Sequence, residues 1–380
     1  MKKIAKISCI GLCLLCPLVL ITVFATNWGK QSNVSCVGSS GVKPFVELIS
    51  QNYSKQSLDI TVEAGGSGFG IDELVRDHCN IGTTSINPYQ LLKNNDEAYN
   101  AWKQKRIKTI TIGWEAICLV YKLPSNLSLQ AQKNFEVSIT KKNVKKLFST
   151  FSGFKEDDEI NWLDFIPENT QKNFNENDKF ILENNNIIPY VRSGGNTTSG
   201  TAMAFCRETH FNDFNFDTLP VHQRQAFEAG QYGHDIEIYQ TDEANSRSWD
   251  MFCKNNIPGS MLYLSSGFVE TNMKLIKDYG YKIAKYDGVE YNLQTAKNHE
   301  YKWFRPINCS FSLANEKIKK FLQDTLDNWT VNDELFTKNG AFLVSKTEIK
   351  SMYLENQEWL SDAEIEERGG QTVYGAVPEL

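Results

Sequence analysis

Three stretches combine glycine with hydroxyl-bearing residues: GSSGV at 38–42, GGSGFGI at 65–71 and RSGGNTTSGT at 192–201. Each follows a β-rich run and precedes a run whose apolar residues fall at helical spacing. A strand-loop-helix junction leaves the amides of the first helical turn without intrahelical partners. It aims them, with the positive end of the helix dipole, beyond the strand. Glycine lets the backbone close on a ligand, and Ser or Thr hydroxyls add donors. Arg192 adds a fixed cation whose planar fork matches a tetrahedral oxyanion. The chemistry these residues suit is the non-covalent holding of an oxyanion. Singly, each stretch also reads as an ordinary N-capped turn; their recurrence in one structural place is what points to a site.

Other phosphate and acyl chemistries lack their residues. No GxxxxGK[ST] occurs, so a P-loop nucleotide site is excluded, and GGSGFG misses the GxGxxG spacing of a dinucleotide fold. No GxSxG is present, and no histidine is placed to serve a serine nucleophile as base. His78, His210, His222, His234 and His299 form no HExxH, and the cysteines form no CxxC, so neither a metal nor a cofactor is expected. The expectation is a binding protein and not an enzyme. The net charge of -6, with lysines scattered among the acids, argues against nucleic acid as a partner. An anion must then be held by local groups.

The elements that carry these loops alternate. NVSCVG (33–38), LDITVEAG (58–65) and NIGTTS (80–85) read as strands separated by helices at 42–53 and 71–78. Strong β signals follow in TITIGW and ICLVYKL (109–123), then a helix at 140–151 and the strand IIPYVR (187–192) that runs into the third loop. Beyond it come a helix from 199, a strand at 236–240, a helix at 242–255, the strand SMLYLS (260–265), a helix at 268–280, a strand at 282–291 and a helix at 316–329. Such alternation predicts an α/β fold with a mostly parallel sheet, and ligands in such sheets bind beyond the carboxyl ends of the strands. The acidic, Asn-rich stretch from 152 to 186 reads as a surface excursion.

Length and the N-terminus complete the picture. A chain of 380 residues exceeds one ordinary core, which predicts two domains or one split domain. Lys2, Lys3 and Lys6 precede an uncharged run from Ile7 to Thr26, long enough to span a bilayer with the lysines inside, so residues 1–30 form a signal or membrane-anchor segment. An uncleaved anchor is the preferred reading, with a cleaved or lipidated form as the alternative. Cys36, Cys79, Cys118, Cys206, Cys253 and Cys309 read as buried small side chains, with disulfide pairing left open.

The chain resembles the phosphate-binding proteins that deliver phosphate to ABC importers, within the two-lobed, type II periplasmic-binding-protein-like fold. The similarity runs from about residue 33 to 350 and rests on motifs in the same order: GSSGVKP, GGSGFGI, TIGWEAICLVYKLP, ITKKNVKKLF, INWLDF, the Arg192 to Thr201 run, GSMLYLSSGFV and DGVEYNLQTAKNHEYKWFRPI. The resemblance implies a discontinuous lobe I (31–115 and 263–380) and a lobe II (116–262), joined by crossing strands near 113–120 and 258–265. It implies phosphate ligands at Ser40, Gly41, Ser67, Ser85, Arg192, Ser199, Gly200 and Thr201. It also implies ABC permease subunits as partners, a monomer, and a place outside the cell membrane. Two positions depart from the family pattern: Gly194 and Ser85 stand where the family carries aspartates. A serine cannot repel a fully ionised anion as a buried carboxylate does, so sulfate is expected to be rejected less strongly. The alternatives are a binder of another oxyanion such as sulfate or molybdate, a phosphatase, and a surface sensor or adhesin on the same fold.

Overall fold

The computed structural model describes residues 34–53, 60–92, 95–105, 107–155, 160–192, 199–209, 211, 216–312, 314–315, 318, 321 and 328–343. The N-terminal segment of residues 1–30 lies outside them, as do Leu322 and Leu326 of the helix expected at 316–329; its Ile318 and Phe321 are buried.

Strands β1 (Val34–Gly38), β2 (Ile60–Ala64) and β3 (Ile81–Thr84) pair in parallel, with α1 (Lys43–Tyr53) and α2 (Ser67–Val75) between them. Helix α2 begins at Ser67, inside the second glycine loop, four residues earlier than the apolar spacing predicts. The segments TITIGW and ICLVYKL form one strand, β4 (Ile107–Tyr121). After β5 (Ser138–Ile139) and α3 (Val144–Ser152) come β6 (Ile188–Arg192), α4 (Gly200–Arg207), β7 (Tyr239–Thr241), α5 (Asn245–Asn255), β8 (Ser260–Ser265) and α6 (Ser266–Asp278). The strand expected at 282–291 is two short pieces, β9 (Lys282–Ile283) and β10 (Lys285–Tyr286). They precede β11 (Phe304–Ser312), α7 (Trp329–Lys338) and β12 (Ala341–Leu343).

The sheet runs in the order β2-β1-β3-β11-β4-β8-β6-β7. Its two flanks are parallel, but the centre is antiparallel: β11 against β3 and β4, and β8 against β4. A mostly parallel sheet describes the flanks and not the middle. Strand β4 pairs with β11 from Ile107 to Ala116 and with β8 from Ile117 to Tyr121, so one strand serves both halves of the molecule. The carboxyl ends of β1, β2 and β3 carry the first two loops and Ser85; those of β6 and β7 carry Arg192 and the link to α5. This is the two-lobed α/β arrangement, with the site residues of both lobes at the ends of parallel strands; residues 193–198 of the third glycine loop, Gly194 among them, lie outside the described residues.

Packing fixes the key helix. Every residue of α4 from Gly200 to Cys206 is buried, and Phe205 stacks on Tyr263 at 4.1 Å between centroids and lies 5.1 Å from Trp303. A helix buried on all sides has no freedom to slide, so its first turn is held in place by about 1.5–3 kcal/mol per large apolar side chain. The described residues 160–186 of the acidic, Asn-rich stretch are not a surface excursion. They fold into short helices that bury Trp162, Phe165 and Leu182, and their acidic and Asn residues serve as caps: Asn161 and Asn175 each form a capping box. The six cysteines among the described residues are free thiols; all are buried except the half-buried Cys253.

Candidate functional site

The first loop places Ser39 and Ser40 at the end of β1. Ser39 Oγ donates to Ser85 Oγ at 3.1 Å, and the Ser85 amide donates to Ser67 Oγ at 3.2 Å, so Ser39, Ser67 and Ser85 form one buried cluster in the first lobe. The second lobe brings α4 against it. Ser199 is the N-cap of α4, its Oγ accepting from the Ala202 amide at 3.0 Å, and Ser199, Gly200 and Thr201 are all buried. Gly200 lies so close to the first lobe that a Cβ there would stand 2.2 Å from Ser67 Oγ and 2.9 Å from Ser85 Oγ. Of the sequence-predicted residues, Ser40, Gly41, Ser67, Ser85, Ser199, Gly200 and Thr201 converge on this junction.

Arg192 reaches the site differently. It is fully buried at the end of β6. Its Nη1 donates to Asp242 O (3.2 Å), to Ala244 O (2.9 Å) and to Ser248 Oγ. Its Nη2 donates to Asn245 Oδ1 (2.7 Å) and Tyr263 O (3.0 Å). Both arms of the fork therefore hold protein oxygens, and Nε is the N–H without an acceptor among the described residues. The guanidinium pins the backbone on either side of Glu243.

Two residues that the sequence reading missed occupy the centre. Glu243, on the link between β7 and α5, directs its carboxylate into the junction. Ser199 Oγ donates to Oε2, while Ser40 Oγ and Thr201 Oγ1 approach Oε1 at 3.4 Å, so hydroxyls from both lobes converge on one carboxylate. Burial pushes its carboxyl above the usual carboxylate range, and the Ser199 hydrogen bond and the charges of Arg192 and Arg305 pull it partly back.

Arg305, on β11, is fully buried against Glu115 of β4. Its Nε lies 2.8 Å and its Nη2 2.6 Å from Glu115 Oε1, and the two residues are register partners across the strands. Its Nη1 donates to Thr201 Oγ1 at 3.0 Å. The guanidinium fits because residue 41 is glycine; a Cβ there would stand 2.2 Å from Nη2. The charges of Arg192 and Arg305 thus flank the hydroxyl cradle, and no donor set for a metal appears among the described residues. The arrangement can hold a small oxyanion by hydroxyls, helix-start amides and buried positive charge.

The chain belongs to the PBP superfamily: the model of the PBP superfamily domain matches residues 25–307. An uncharacterized lipoprotein of Mycoplasma genitalium is 31% identical over 365 residues, which cover 89% of this chain and 91% of that one. Among solved structures, a putative phosphate ABC transporter substrate-binding protein from Clostridium perfringens, with bound phosphate, is 19% identical with a TM-score of 0.52, covering 82% of this chain and 99% of that one. An ABC-type phosphate transport receptor from Vibrio cholerae is 16% identical with the same TM-score of 0.52 and the same coverage of 82% and 99%. These structures share its two-lobed fold.

Proposed function

We propose that this protein is an extracytoplasmic phosphate receptor that captures inorganic phosphate between its lobes and delivers it to the permease of an ABC importer. One observation carries the reading: Ser40 of the first lobe and Ser199 and Thr201 of the second direct their hydroxyls at a single carboxylate, in a chain of net negative charge. The cradle holds an anion by placed dipoles, and phosphate presents the same oxygens in greater number. The names of the similar solved structures agree with this ligand.

The ligand set comprises Ser40, Gly41, Ser67, Ser85, Ser199, Gly200 and Thr201, together with Arg192 through its buried charge and its Nε, since both arms of its fork hold protein oxygens; the lobes divide at 31–115 with 263–380 and at 116–262. Strand β4 passes between the lobes. An anion that bridges them stabilises the form in which both donate at once, and that form is the one presented to the permease. The N-terminal segment keeps the protein, as a monomer, at the outer face of the membrane, which raises its effective concentration at the permease. The name of the Mycoplasma relative agrees with a membrane-held form.

Isothermal titration of the protein with phosphate tests this reading. Saturable one-to-one binding supports it, and the absence of heat up to millimolar phosphate overturns it.

A further inference from the structure

Glu243 stands where the proposed ligand would stand. We propose that its carboxylate is the resident anion of the cleft, and that free phosphate enters by displacing it, so that this residue sets how tightly the site holds an oxyanion. The proposal rests on the phosphate-binding reading above and adds a competitor built into the chain.

A hydroxyl carries a single O–H, and those of Ser40, Ser199 and Thr201 point at Glu243. The Ser199 Oγ accepts from the Ala202 amide, and Thr201 Oγ1 accepts from Arg305 Nη1, so an N–H behind each oxygen orients it to donate into the cleft. The carboxylate also lies at the start of α4, whose dipole favours negative charge there. A phosphate seated in the cradle needs these same donors. Two anions cannot share them, and the carboxylate must leave.

The structure gives it a way out. Glu243 is partly exposed as a residue although its carboxylate is buried, and it neighbours the exposed Asp242, so rotation about its own side-chain bonds would turn the carboxylate toward solvent. Arg192 holds Asp242 O and Ala244 O throughout, so the side chain moves while the backbone stays. Glu243 spans Ser40 and the α4 start, and so draws the lobes together as a ligand would.

The test compares phosphate and sulfate binding to the full chain and to its Glu243→Ala and Glu243→Gln variants by calorimetry, at low and high ionic strength. If the free cradle is the minor state by about ten to one, emptying it in Glu243→Ala tightens phosphate about tenfold. Sulfate gains by the same factor, the isosteric Glu243→Gln falls between, and the gain persists in high salt. Weaker phosphate binding with new sulfate binding in Glu243→Ala would show instead that the carboxylate stays beside the bound anion, and overturns the proposal. A gain that vanishes in high salt reflects only the long-range field and overturns it too. Phosphate binding to wild type without tightening in either variant refutes the resident-anion idea alone. Binding by none of the three refutes the phosphate reading as well.

Discussion

Arg305 donates from Nη1 to Thr201 Oγ1 across 3.0 Å, tying the central strand β11 to the first turn of α4. Its other nitrogens hold Glu115, so one side chain links the strand shared by both lobes to the helix that opens the cradle. The anion site is thereby coupled to the core. Disturbing either end is felt at the other.

The Glu115–Arg305 pair is fully buried, so removing one partner leaves an uncompensated charge. Glu115→Ala or Arg305→Ala is expected to cost about 3–5 kcal/mol, read as a lower midpoint in urea unfolding. Replacing both by methionine is expected to cost much less than the sum of the single changes, because no charge is left buried.

Gly200→Ala separates binding from folding. Alanine suits a helix better than glycine, but the added Cβ meets Ser67 Oγ at 2.2 Å and Ser85 Oγ at 2.9 Å and pushes the lobes apart. Phosphate affinity should fall by about 1–3 kcal/mol, roughly 5- to 150-fold, while thermal stability of the ligand-free protein stays equal or rises. An unchanged affinity means the lobes need not meet there.

Arg192→Lys keeps the charge and loses the fork. Lysine cannot reach Asp242 O, Ala244 O, Asn245 Oδ1 and Tyr263 O together, so the link bearing Glu243 loosens. The expected result is a loss of about 2 kcal/mol or more in stability together with at least tenfold weaker phosphate binding. A lysine variant equal to wild type in both measurements would show that charge alone suffices.

Glu208, next to the end of α4, gives a pH signature. Burial pushes its carboxyl up to about 7, against the charges of Arg207 and Arg305. Between its ordinary value of 4.5 and about 7 the folded protein holds a proton that the unfolded chain has lost. Stability therefore falls as pH rises through that window, by up to about 3 kcal/mol, and is flat above it. Unfolding midpoints measured from pH 4.5 to 8 should show this slope, and Glu208→Gln should flatten it.

The loops that build the cradle were legible because glycine and hydroxyl residues after a strand are a local pattern, and the strand-helix alternation around them is local too. Arg305 was hidden. Its strand contains Pro306 and is buried throughout except at its last residue, so it shows neither clean alternation nor an unbroken apolar run, and its partner Glu115 lies 190 positions away. One signal was available: a single acid, Glu115, inside the otherwise apolar run TIGWEAICLVY, which no strand buries without a cation. Glu243 gave less warning, because acids just before a helix are common for their effect on the dipole. The 152–186 stretch misled because its polar residues cap short helices whose few apolar residues, Trp162 and Leu182 among them, are wholly buried.

The central claim is that hydroxyls of both lobes form one oxyanion cradle, and calorimetric titration of wild type and Ser199→Ala with phosphate tests it most directly. The account predicts saturable one-to-one binding by wild type, with affinity reduced at least about tenfold when the Ser199 donor is removed. Wild type showing no phosphate binding, or equal affinity in the two proteins, would contradict it.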